Sequence, residues 1–453
     1  MSTDSKNETH SPEKTKTAPR KKAAPKPVDA EKKPAKATKV AAPKAAKDAK
    51  PPAKAAKKAP KPDAEKKPTK AATAKLAKAA AEPVTEVKKT STVSLITGFP
   101  GFLATHLALE IAKREPLGDL HFLIEKRFQA EAQKRLARIR RESPEFKGNL
   151  ELIHGDITKP QLGLEPETYD SLRRSITHVW HLAAIYDLAV PEEIAFLVNV
   201  GGTVNVLDFC EACTSFKHLN YVSTCYVSGK RTGLIYESEL DEGQPHHNNY
   251  ESTKFWAEME VQRRMDTIPT TVFRPAIVVG HSRTGETDKY DGPYYLLKII
   301  DRMPKWMPFM NVGRGDTVVN IVPVDFASSA LAELGLRDSS VGEVFQLADP
   351  NPMRARDITA LGLKCLGRRL AVGMIPPGLA NRALKNDAVE KMVGVPREIL
   401  GYFTHDARYD AANTARALQG AKIKCPHLST YLQTLVDYYQ SHPEGSDSAR
   451  RRA

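Results

Sequence analysis

From Val93 onward, short runs of mostly apolar residues alternate with longer amphipathic stretches, whereas the ninety residues before them show no such pattern. Val93–Thr97 (VSLIT) is apolar and partly β-branched on consecutive positions, which suits a strand buried on both faces of a parallel sheet. A glycine turn follows at Gly98. Phe102, Leu107, Leu109 and Ile111 then make the apolar part of a helix expected to end near Arg114, before Glu115-Pro116. The alternation continues with strands expected at 120–125, 150–154, 179–184, 219–223 and from 270 to 273. Helices are expected at 129–141, 194–213 and from about Tyr250. Strands and helices in this rhythm imply right-handed crossovers and a doubly wound parallel sheet, an α/β fold whose ligand sits at the carboxyl ends of the strands.

Charge changes how the rest of the chain is read. Residues 1–90 hold 25 Lys and Arg against 10 Asp and Glu, so they account for the whole formal charge of +14, and 91–453 is near neutral with 43 against 44. Repeated pieces such as AEKKPAKATK and AEKKPTKAAT, rich in proline and nearly free of large apolar side chains, give 1–88 the composition of a disordered tail. Such a tail suits nucleic acid or an anionic membrane surface by charge, and equally a spacer that binds nothing. A second disordered end is expected at 446–453. Between them, 91–285 reads as the nucleotide-binding domain, with the chain returning to it around 317–347, and 286–445 mainly as a smaller C-terminal substrate domain. No run of about 18 apolar residues is evident, so no membrane-spanning helix is expected, and MSTDSKNETH lacks the apolar core of a secretory signal. Five cysteines without framework spacing point to reduced thiols and a cytoplasmic protein.

The chemistry lies at the expected strand ends. Gly98 permits a turn with positive φ, Gly101 lets backbone approach a pyrophosphate, and the small Ala104 lets the helix lie close on the sheet. Glu125, after the second strand, is placed to accept from the adenosine ribose hydroxyls of NAD. Lys126 and Arg127 beside it would instead seat the 2′-phosphate of NADP, so both cofactors remain open. Asp156 in HGDIT is placed for an adenine amino group, or for capping its own turn. Ser223-Thr224 brings two hydroxyls to the same rim, with Thr224 the better donor to a substrate oxygen. Tyr250 and Lys254, four apart on a helix, share one face, and a fixed ammonium nearby lowers the pKa of a phenol.

Taken together, TGFPGFLA, GDIT, HLAA, Asn199-Val200-Gly201-Gly202-Thr203, STCYVSG, YESTK and Arg274-Pro275-Ala276 resemble the extended short-chain dehydrogenase/reductases. VVNIVPVDFASSAL and VFQLADPNPM resemble their branch of fatty acyl-CoA reductases, thioester reductases and male-sterility proteins. The resemblance implies a Rossmann domain binding NAD(P)H and a catalytic set of Thr224, Tyr250 and Lys254 with Asn199. It implies cofactor contacts from Thr97, Gly98, Phe99, Pro100, Gly101, Phe102, Glu125, Arg127, Asp156, Ile157, Ala183, Ala184, Tyr250, Lys254, Pro275 and Ile277. The expected substrate is a carbonyl compound or acyl thioester. Epimerases, dehydratases and hydroxysteroid dehydrogenases share the same residues, and a basic adaptor whose Rossmann domain only senses cofactor is the reading from outside enzymology. The resemblance also hints at a homodimer. No metal is expected: His246-His247 has no partner at ligand spacing, and Cys210 and Cys213 read as core fillers of one long helix.

Overall fold

The computed structural model describes residues 92–442 apart from 187–189, 305, 307–308, 370–372, 377, 380–381 and 383–404. The tail at 1–88, the end at 446–453 and most of 366–401, in the part expected to bind substrate, lie outside the described residues.

Seven parallel strands form one sheet: β1 (Val93–Thr97), β2 (Asp119–Ile124), β3 (Leu150–His154), β4 (His178–His181), β5 (His218–Val222), β6 (Thr270–Pro275) and β7 (Val344–Leu347). Their spatial order is β7-β6-β5-β4-β1-β2-β3, so the chain winds outward in both directions from the gap between β1 and β4. In register, Thr97 sits opposite Leu123 on one side and His181 on the other, which brings the strand ends level around the glycine turn. An open sheet that reverses its winding here leaves a crevice at those ends.

The continuous apolar strands are explained by the two cores. Leu95, Leu123, Val179, Tyr221 and Val272 enter one, with α4 (Glu192–Ala212) and α5 (Asn249–Arg263) packed above them. Their neighbours Ile96, Phe122, Trp180, Val222 and Phe273 enter the other, beneath α1 (Phe102–Arg114) and α7 (Val324–Gly335). Successive side chains point to opposite faces, so a sheet covered on both must be apolar at consecutive positions. The helices α2 (Gln129–Glu142) and α3 (Pro166–Ser175) complete the two layers.

A third core joins α6 (Tyr294–Arg302), α8 (Ala355–Cys365) and α9 (Leu432–Ser441) through Tyr290, Leu297, Ile300, Ile358, Leu435 and Tyr439. Tyr290 and Tyr294 are therefore buried in the packing of this core. By length and composition α4 is apolar enough to cross a membrane, contrary to the expectation from sequence. Half of the apolar window is buried, however, as in a helix that covers a sheet. All five cysteines are free, and Cys210 is buried within α4. Among the described residues no group of His, Cys, Asp and Glu could hold a metal.

Candidate functional site

Gly98 closes the turn after β1 with φ +83°, and a Cβ there would stand 2.8 Å from the Ala183 nitrogen. Gly101 is equally confined, since its Cβ would meet the Gly98 carbonyl oxygen at 2.7 Å. No side chain caps the N-terminus of α1, whose Thr105 nitrogen makes the first helical bond to Gly101 O at 2.9 Å. The amides of Phe102, Leu103 and Ala104 precede that first bond and have no partner within the helix, the kind of N–H groups that suit a phosphate at a helix N-terminus. Phe99 is buried against Phe122, with ring centroids 4.2 Å apart, so only its backbone faces the turn. Replacing Gly98 with Ala forces a Cβ into backbone that cannot yield. Affinity for reduced NAD(P) is expected to fall about tenfold or more, measured by titrating the fluorescence of the dinucleotide.

Farther along the rim, Glu125 follows β2 and accepts from Arg127 Nη2 at 2.7 Å, both side chains exposed. Asp156 Oδ1 accepts from Thr158 N at 2.9 Å and Thr158 Oγ1 at 2.7 Å, so the turn-capping role anticipated as its alternative is the one the bonds display. Ile157 packs under Gly202, where a Cβ would lie 2.7 Å from its Cδ1. On the other side, Ala183 N donates to Thr97 Oγ1 at 3.1 Å, while Ala184 is exposed. Pro275 O accepts from Thr224 Oγ1 at 3.4 Å, which ties the end of β6 to the loop after β5. Ile277 lies beyond it in the short strand Ile277–Val279, paired in parallel with Ile321–Pro323.

α5 starts where Asn248 caps it, its Oδ1 accepting from Glu251 N at 3.0 Å, while the Glu251 carboxylate reaches back to His247 N at 2.8 Å. That reciprocal cap fixes Tyr250 in the first turn and Lys254 in the second. Thr224 lies near enough to Tyr250 to act on its phenol at the rim, and the Tyr186 ring stands edge-on to Tyr250 at 4.9 Å. Lys254 is buried and turned toward β5: its Nζ donates to Tyr221 Oη at 2.9 Å and to Val222 O at 2.8 Å. Asn199 sits in a π turn, Leu197–Gly201, of α4. Its Oδ1 accepts from Ile185 N at 2.8 Å and its Nδ2 donates to Thr253 Oγ1 at 3.0 Å, so it braces α5 beside Lys254.

The acidities differ from expectation. The Tyr250 phenol is raised, not lowered: burial is the main cause, and the nearby Thr224 hydroxyl offsets it only in part. The expected lowering fails because the lysine ammonium lies against β5. Burial pulls Lys254 down to about 7, with Glu258 one turn on acting against it. Beneath the rim, Glu258 receives Ser223 Oγ at 2.5 Å and Arg274 Nη2 at 2.6 Å, both fully sheltered from water.

Thr224, Tyr250 and Lys254 are brought together with the glycine turn, whereas Glu125 and Arg127 stand at its outer edge. Sequence reasoning missed Tyr221, His181, Thr203 and Glu258. The first three sit in apolar-looking segments, and only Glu258 carries a signal, four residues after Lys254 on the same helix face.

The sequence model of the family described as "Male sterility protein" matches residues 96–331. Over 368 residues, 76% of the chain, the protein is 26% identical to a component of the linear gramicidin synthase of Brevibacillus parabrevis, of which it spans 7%. Over 273 residues it is 25% identical to fatty acyl-CoA reductase wat of Drosophila melanogaster, covering 52% of each chain. The chain therefore spans about half or less of these relatives. Among solved structures, the terminal R domain from the myxalamid PKS-NRPS biosynthetic pathway aligns with a TM-score of 0.66 at 25% identity, over 79% of this chain and 92% of that one. The UDP-glucuronic acid 4-epimerase of Bacillus cereus in complex with NAD shares the fold at 18% identity, with a TM-score of 0.56 over 79% and 99%. The family match covers just over half of the chain and takes in the glycine turn, the Thr224 loop and the Tyr250 helix. The chain thus belongs to the male sterility protein family, NAD-binding proteins of the extended short-chain dehydrogenase/reductase type.

Proposed function

We propose that this protein is an NAD(P)H-dependent reductase of carbonyl or acyl-thioester substrates, with a Thr224-Tyr250-Lys254 catalytic set. The observation that carries the reading is that Thr224, tied to Pro275 O, and Tyr250, seated by the Asn248 cap, stand together at the carboxyl edge of the sheet, beside a glycine turn closed against Ala183. A reduced nicotinamide bound there supplies the hydride. The two hydroxyls hold the substrate oxygen between them, and Tyr250 donates its proton to that oxygen as the carbon is reduced. With a thioester the product of this step is a hemithioacetal; loss of the hydroxyl proton and departure of the sulfur, which takes up a proton, gives an aldehyde and a thiol. From its seat against β5, Lys254 would supply positive charge beside the bound dinucleotide, while Asn199 keeps the helix carrying Tyr250 and Lys254 in place.

The fatty acyl-CoA reductase among the relatives supports acyl thioesters as one class of substrate. The test is a spectrophotometric panel in which the purified full chain receives reduced NAD or NADP with acyl-CoAs of graded length, the matching aldehydes, sugar nucleotides or sterols. Oxidation of the dinucleotide with thioester or aldehyde, and release of free thiol from the thioester, is the expected result. Turnover confined to sugar nucleotides or sterols, or none on any member, overturns the reading.

A further inference from the structure

Two hydrogens of the Lys254 ammonium are already committed, and the partner of one of them is itself held in place. Besides accepting at 2.9 Å, Tyr221 offers the face of its ring, whose centroid is 4.5 Å from Nζ. The Tyr221 ring also packs against the His181 ring, with centroids 5.7 Å apart. Thr203 Oγ1 donates to Asn199 O at 2.6 Å, which leaves a lone pair for His181 Nε2 at 3.1 Å. His181 thus donates from Nε2 and receives the Thr97 hydroxyl on Nδ1 at 2.7 Å. That neutral ring agrees with its burial, which lowers its pKa to about 3. Thr97 Oγ1 accepts in turn from Leu182 N at 3.2 Å and Ala183 N at 3.1 Å, the backbone against which Gly98 turns. Buried hydrogen bonds therefore run from the glycine turn to His181 on β4, and ring packing carries the row on to Tyr221 on β5, which holds the lysine.

We propose that Tyr221 is a positioning residue: its hydroxyl, on a ring packed against the His181 that Thr97 and Thr203 fix, holds the Lys254 ammonium in its working place and couples it to the dinucleotide seat. The inference rests on the role given to Lys254 above. The other titratable groups facing Lys254 are Tyr250 and Glu258 on its own helix and His181 on β4. Of these only Glu258 is charged, and it is shared with Arg274 and Ser223. Tyr221 is the neutral acceptor that favours the charged form of a lysine which burial has brought to about 7.

The experiment compares Tyr221→Phe, which keeps the ring face and loses only the hydroxyl, with the wild-type full chain between pH 6 and 9. Turnover of an acyl-CoA and affinity for reduced NAD(P), read by its fluorescence, are both followed. Activity should fall with rising pH about one unit earlier in the variant, with kcat about tenfold lower at pH 8 and nearly equal at pH 6. Cofactor affinity should weaken over the same range, and Thr203→Val should move both profiles the same way by less. If neither variant alters either profile, Tyr221 is core packing and the inference is wrong; should Tyr221→Phe not fold, Thr203→Val alone decides. Lys254→Met in the same assays separates the two levels: if it is as active and binds as well as wild type, the reading of the site fails and the role of Tyr221 falls with it.

Discussion

Replacing Tyr250 with Phe is expected to lower kcat by about 10² or more while changing affinity for reduced cofactor less than about twofold. The substitution removes one oxygen. The ring stays in place, edge-on to Tyr186, and the cap formed by Asn248 and Glu251 that seats the first turn of α5 does not involve the phenol. What is lost is a hydroxyl near Thr224 that burial keeps protonated, the state a proton donor needs in the reductive direction. Single-turnover oxidation of bound dinucleotide by substrate isolates this step from product release. Unchanged turnover would remove Tyr250 from the chemistry, whereas equal losses in binding and turnover would make it a structural residue.

The elements were legible where apolar residues fill a two-faced sheet, and misplaced where the backbone leaves the ladder without a change in side-chain character. The extents of β1 and β3 agree with the pattern of the residues themselves. β4 does not: WHLAA reads as strand to Ala184, yet the ladder stops at His181, because the amides of Leu182 and Ala183 turn to the Thr97 hydroxyl. The π turn at Asn199 has no more signature than the Gly201-Gly202 pair that follows it. The shared helix face of Tyr250 and Lys254 was readable from their spacing, but spacing places a Cβ and not the end of a four-carbon side chain. The ammonium found its acceptors on β5, at a tyrosine that hydrophobic patterning counts as core. For the same reason the acidity inferred for the phenol had the wrong sign: the pattern records which residues are near one another, whereas the pKa is set chiefly by how far water is excluded.

Glu258 shows how stability and chemistry meet under the rim, and replacing it with Ala is expected to destabilise the fold by about 3–5 kcal/mol. The carboxylate is wholly buried and takes Arg274 Nε at 2.9 Å and Nη2 at 2.6 Å, together with Ser223 Oγ. Arg274 also donates from Nη1 to the carbonyls of Glu237 at 3.2 Å and Glu239 at 2.8 Å, so without Glu258 it stays anchored in place as an uncompensated buried charge. Glu258→Gln keeps an acceptor and should lose less, and adding Arg274→Met to Glu258→Ala should recover part of the loss, because the stranded cation goes with it. Thermal and denaturant unfolding of the three variants measure the coupling, and a loss below about 1 kcal/mol for Glu258→Ala would mean that water reaches the pair. The destabilised variant should also turn over slowly where it remains folded: Ser223 loses its acceptor one residue from Thr224, and the Lys254 ammonium loses the one negative charge facing it. Slow turnover without destabilisation would assign Glu258 to the chemistry alone, and destabilisation with full turnover to the fold alone; the buried network predicts both together, since the same carboxylate ties α5, the loop after β5 and the end of β6.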